Sequence, residues 1–146
     1  CVDADFTRAD LSGAWLDGAC LMGAVFAEAV LDGAIAGGTV MTGADLERAS
    51  LKRANLVGAC LREANLRSTL LEGARMGRAD LTGADASRAV MTRSILREAN
   101  LSRVNLSGAD LTGANLERAK LTEADLARAS ITGANLTGAD MDGVKR

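Results

Sequence analysis

The chain has 146 residues, 48% of them hydrophobic but only 2% aromatic, with 16 Gly, no Pro, no His, no Tyr and a formal net charge of −2. That length suits one domain around a single core. Recurrent Leu and Ala at low net charge exclude a disordered chain, the lack of Pro excludes a collagen, and the lack of His removes the commonest general base and metal ligand.

From Ala4 onward the sequence repeats every five residues without insertion or deletion. Every fifth position from Phe6 to Met141, 28 in all, holds 19 Leu, 4 Met, 2 Phe, 2 Ala and Ile131, so one position of the unit is core aliphatic. Two residues earlier, 24 of 29 positions are Ala, the departures being Thr39, Thr69, Ser94, Val104 and Val144. Between them sits mostly Asp or Asn, and after Leu come a polar or charged residue and then commonly Gly, as in Ala109-Asp110-Leu111-Thr112-Gly113.

No single regular element fits this period. On an α-helix successive Leu would step about 140° around the surface, and on a long strand they would alternate faces. Ala and Leu, two apart, point the same way from a short extended segment while Asp or Asn points out. The next two residues turn the chain, with Gly supplying backbone freedom and the outward Asp or Asn bonding nearby backbone. Segment and corner repeated with one handedness make a solenoid lined by Leu and Ala. Ala36 and Ala86 stand where Leu is expected, which predicts a thinner core or a small void at those levels.

This pattern resembles the pentapeptide-repeat family over 29 consecutive in-register units, essentially the whole chain. The resemblance implies an all-β fold, a right-handed quadrilateral parallel β-helix with four pentapeptides per coil. Residues 1–146 then form one β-solenoid domain of about seven coils, roughly 34 Å long, excised from or continuing into a longer chain. It also implies a bacterial protein. Known family members include modules appended to other domains, and rod-shaped DNA mimics that bind type II topoisomerases and protect against quinolones.

In chain order, the first anomaly is a run of six units whose normally polar position reads Trp15, Cys20, Val25, Val30, Ile35 and Val40, with Met22 beside them. With four units per coil this run forms an apolar collar, and such a patch marks a covered surface. An upstream segment of the same chain, a second copy in a homodimer, or a protein partner would cover it. Residues 1–41 carry six acids and one base, whereas residues 42–103 carry seven acids and eleven bases. The basic band includes Lys52, Arg53, Arg62, Arg67, Arg75, Arg78, Arg88, Arg93, Arg97 and Arg103. It alternates with acids and has no aromatic neighbours for base stacking, so a solvated surface is expected rather than a nucleic-acid site.

The remaining features point away from chemistry. Cys20 and Cys60 fall two coils apart on one wall, about 10 Å, beyond the roughly 7 Å limit for a disulfide. Unpaired thiols fit a reducing, cytoplasmic compartment, and no zinc spacing, phosphate loop or nucleophile elbow is present. No catalytic residue, metal or cofactor is assigned, and no apolar run is long enough for a membrane span. The expected function is a rigid, non-catalytic scaffold or spacer for protein–protein interaction, with the topoisomerase-binding DNA mimic as the alternative. Mimicry needs a continuous acidic row in place of phosphates, which a net charge of −2 does not supply.

Overall fold

Parallel pairing joins residues twenty positions apart throughout the chain, from Asp5 with Val25 to Asp125 with Lys145. Twenty residues, four pentapeptides, thus close one coil of a right-handed quadrilateral β-helix in this computed structural model, which describes residues 1–146. Each wall is named here by its first paired residue: the Asp5, Asp10, Trp15 and Cys20 walls. The strands are minimal, one bridging residue per wall per coil, because two of every five residues are spent on the corner.

Backbone accounting explains why the period is so strict. Between coils, Leu11 N–H donates to Val30 O at 2.7 Å, Gly13 N–H to Asp32 O at 2.9 Å and Val30 N–H to Ala9 O at 2.9 Å. Within the unit, Ala14 N–H donates to Leu11 O at 3.0 Å and closes the turn. Four of the five amides are satisfied this way, and the fifth belongs to the first turn residue. Its acceptor is the side chain two positions back: Thr7 N–H donates to Asp5 Oδ1 at 2.8 Å, Thr112 N–H to Asp110 Oδ1 at 2.9 Å and Glu117 N–H to Asn115 Oδ1 at 3.0 Å. The Asp or Asn row is therefore a row of turn caps.

These caps set an acid limit on stability. Hydrogen bonds from the Thr7, Ser12 and Thr112 hydroxyls and amides hold the Asp5, Asp10 and Asp110 carboxyls below their ordinary 3.8. At Asp80 burial pushes the other way, but bonds from Thr82 and Arg62 outweigh it. A carboxyl depressed in the folded state contributes stability above its unfolded value and loses it as pH falls through the folded one. The thermal midpoint, followed by circular dichroism, is expected to stay level in mild acid and to drop as pH falls below 3.8. Asp80→Asn, which keeps the shape and removes the titration, is expected to shallow that drop.

The second corner residue has positive φ at all 29 corners, between 53° and 69°, while the first does not, which makes these type II turns. Gly is common at this corner, as the sequence shows, but 15 of the 29 are other residues, nine of them Arg. An L-residue there costs about 1–2 kcal/mol, and the coil-to-coil bond from its own N–H holds it in place.

Forty buried apolar residues from Leu21 to Leu126 form one continuous core, with Phe6, Leu11, Leu16, Leu136 and Met141 half-buried toward the two ends. Phe6 and Phe26 stack at a centroid distance of 5.0 Å, so one ring fills each level of the first two coils. The hydroxyls that replace Ala are satisfied internally: Thr39 donates to Ala36 O at 2.8 Å, Thr69 to Leu46 O at 2.9 Å and Ser94 to Met91 O at 2.7 Å. Ala36 and Ala86 are fully enclosed, as are Met41 and Met91 in the units that follow.

Candidate interaction surface

Coiling distributes the collar residues over all four walls of the first two coils. Trp15 pairs directly with Ile35 and Cys20 with Val40, while Val25 and Val30 occupy the two remaining walls. Trp15 is 76% exposed and Met22 41%, Cys20 and Val30 are exposed, and Val25, Ile35 and Val40 are half-buried.

Two backbone features that recur singly or in short runs elsewhere coincide in this region. Every Asp or Asn at the pairing position caps its turn, but the collar residues have no acceptor, so the amides of six successive turns, from Asp17 to Thr42, lack a cap of this kind. The outer corners are also bare. Gly occupies positions 13, 18, 23, 33, 38 and 43, leaving Glu28 alone among them. From position 48 to 103 the same corner carries eight charged residues, Arg48, Arg53, Glu63, Arg78, Arg88, Arg93, Glu98 and Arg103, beside Gly58, Ser68, Gly73 and Gly83. On the Trp15 wall the first two coils thus present an apolar ledge with accessible backbone and one protruding indole, while Cys20 and Val40, Val25 and Val30 face the other three walls. At Gly37 an added Cβ would lie 2.6 Å from Asp17 Oδ1 and 3.5 Å from Val57 O, so the ledge is kept low there.

The structure adds apolar residues that the sequence reading missed. Val57 and Ile95, 39% and 43% exposed, continue the Trp15 wall beyond Ile35, and Leu70 and Val90 follow Val30 on the Asp10 wall. They are scattered along the sequence, and only the twenty-residue coil lines them up.

The basic band does not assemble into one surface. Lys52, Arg53 and Arg93 lie on the Asp10 wall, Arg75, Arg78 and Arg97 on the Trp15 wall, Arg62 and Arg103 on the Cys20 wall, and Arg67 and Arg88 on the Asp5 wall. Acids one coil on neutralise part of it: Lys52 Nζ lies 3.0 Å from Glu72, Arg62 Nη1 3.3 Å from Asp80, Arg78 Nε 2.9 Å from Glu98 and Arg97 Nη2 3.5 Å from Glu117. Such exposed pairs add little stability, but they leave no uninterrupted row of either sign. Cys1, Cys20 and Cys60 are free thiols, with Cys60 Sγ 3.3 Å from Thr42 Oγ1. No group of His, Cys, Asp or Glu side chains has the arrangement of a metal site, and no helix is long and apolar enough to cross a membrane.

Comparison with known proteins follows this geometry. A family model described as pentapeptide repeats matches eight copies over residues 4–43, 36–67, 59–97, 74–113 and 109–145. Among solved structures, QnrB1, a plasmid-mediated fluoroquinolone resistance protein, is similar at a TM-score of 0.84 and 20% identity, over 99% of this chain and 82% of that one. A pentapeptide repeat protein from the Arabidopsis thaliana thylakoid lumen is 35% identical over 72% of this chain and 66% of its own, at a TM-score of 0.51. The Rfr23 protein of the cyanobacterium Cyanothece 51142 is 35% identical over 66% of this chain, with a TM-score of 0.50, and the match spans 58% of its length. No curated protein matches the chain.

Proposed function

This chain belongs to the pentapeptide-repeat family, and from that premise we propose that it is a non-catalytic, rigid scaffold whose N-terminal collar docks a protein. The observation that carries this reading is the coincidence, in the same two coils, of an exposed Trp15, bare glycine corners and uncapped turn amides. Each alone reduces local stability or solubility, and together they make a surface that another protein can approach closely. Trp is the residue type most often dominant in interface energetics, and a preformed wall loses little conformational entropy on binding.

Charge narrows the partner. Asp10, Asp17 and Asp32 flank Trp15 and Ile35 in sequence, so a complementary surface offers an apolar pocket for the indole with Lys or Arg around it. That surface belongs to a separate protein in this reading; a second copy of the chain or an upstream segment of the same polypeptide would also present such a pocket. The free thiols suit a reducing compartment. The likeness to QnrB1 is one of fold. A DNA-mimicking role lacks support from the walls, where acids alternate with paired bases instead of forming a phosphate-like row.

The test is affinity capture of the full-length parent beside a Trp15→Asp/Ile35→Asp variant, with light-scattering mass measured over a concentration series. Loss of a stoichiometric partner at unchanged fold is the expected result. A concentration-dependent dimer abolished by the variant assigns the collar to self-association instead, and an unchanged mass and partner set refutes the collar as an interface.

A further inference from the structure

The Asp5 wall holds a second surface, unrelated to the collar and polar throughout. Its outer corner runs Arg48, Ser68, Arg88 in successive coils, so the short Ser68 leaves a notch between two arginines about 10 Å apart along the axis. Arg67 stands beside Ser68 in the intervening coil. Together with Ser87 and Ser107 these residues line a groove of about 370 Å³ that contains no hydrophobic residue. Arg88 leans along the coil below, its Cγ 3.7 Å from where a Cβ on Gly108 would sit.

Unpaired arginines occur elsewhere in the basic band, at Arg53, Arg75, Arg93 and Arg103, but this groove gathers three arginines with little or no carboxylate pairing beside free hydroxyls. Arg67 and Arg88 have no carboxylate within 4.0 Å, and Arg48 has only Glu47 Oε1 at 3.9 Å from its Nε. The Ser68, Ser87 and Ser107 hydroxyls bond to no other protein group, since Ser87 and Ser107 engage their caps through the amide alone. Of the two rim acids, Asp85 is occupied, its Oδ1 accepting from Ser87 N–H and Asn105 Nδ2 at 3.0 Å each. Elsewhere in the band, Lys52, Arg62, Arg78 and Arg97 already face carboxylates.

We propose that the groove formed by Arg48, Arg67 and Arg88 with Ser68, Ser87 and Ser107 binds a small ligand through its phosphoryl groups. Guanidinium forks and hydroxyls are the donor set that phosphoryl oxygens take, and the absence of apolar lining excludes a ligand recognised by its hydrocarbon. Arg67 lies one coil from each of the other two arginines, so a single phosphoryl group meets two guanidiniums and two linked groups meet all three. The geometry therefore favours a pyrophosphate-type ligand over a lone phosphate. An extended nucleic-acid backbone fits less well, because Glu47 and Asp85 interrupt the row and no aromatic side chain lies on this wall's surface for stacking.

The experiment titrates pyrophosphate, inorganic phosphate and a short DNA duplex into the wild-type chain by calorimetry, and repeats this with Arg67→Gln, Arg88→Gly and the off-site control Arg53→Gly. Gly already occupies many such corners, so Arg88→Gly and Arg53→Gly remove charge without a new backbone demand, and circular dichroism checks the fold. Expected are saturable pyrophosphate binding tighter than phosphate, a loss of about 10-fold or more with either groove variant, and no change with the control. Absence of saturable binding by the wild type overturns the proposal, as does equal weakening by Arg53→Gly. Tighter binding of the duplex than of pyrophosphate through the same arginines also overturns it, reassigning the groove to nucleic acid.

Discussion

Leu71→Ala is expected to destabilise the protein by about 2–5 kcal/mol, lowering the thermal midpoint by roughly 5–20 °C for a chain of this size. Leu71 is fully buried in the middle of the rod, and the twenty-residue coil places it in register between Leu51 and Met91. No aromatic lies in that part of the core to swing into the space, so truncation leaves a void in a column of stacked side chains. Leu11→Ala removes the same atoms from a half-buried position in the first coil and is expected to cost less than half as much. In a one-dimensional stack, damage at an end frays one coil, whereas damage in the centre breaks contacts on two sides. Paired thermal melts check the difference, and equal losses from the two variants would mean that the coils do not couple in this way.

The chain makes its own inside and outside plain because five is an odd, short period. Once Leu and Ala are fixed two apart, the direction of every other side chain follows, and the structure buries Leu46, Ala49 and Leu51 while leaving Arg48 at the corner. The capping role of Asp and Asn was also readable, since only an outward Oδ1 lies within reach of the first turn amide. The corner chemistry was less so: Arg103 and Glu98 hold positive φ because stacking on both sides compels it, a tertiary effect that local preference does not encode. Surface assembly was least legible. Val57 and Ile95, and the groove around Ser68, are produced by neighbours twenty and forty positions away, and a basic band counted along the chain dissolved once its members were distributed over four walls.

Ile35→Asn is expected to move stability and binding in opposite directions, and this is the sharpest test of the collar. An Asn at position 35 offers Oδ1 to the Gly37 amide, as Asn55 does to Val57 at 3.3 Å one coil on, and one such bond is worth about 0.5–1.5 kcal/mol. The same change removes an apolar side chain that adjoins Trp15 across the coil. Trp15→Ala, at a residue 76% exposed, is expected to leave the thermal midpoint nearly unchanged while reducing partner affinity by about 2 kcal/mol, some 30-fold, or more. A collar that existed for stability would respond the other way, with Ile35→Asn lowering the midpoint and Trp15→Ala lowering it further. Melting curves of both variants, beside titrations with the partner captured by the wild type, separate the two cases. Stability gained where binding is lost would identify the absent caps and bare corners as the cost of an accessible surface, carried by six successive units where later units lack a cap only singly or in pairs.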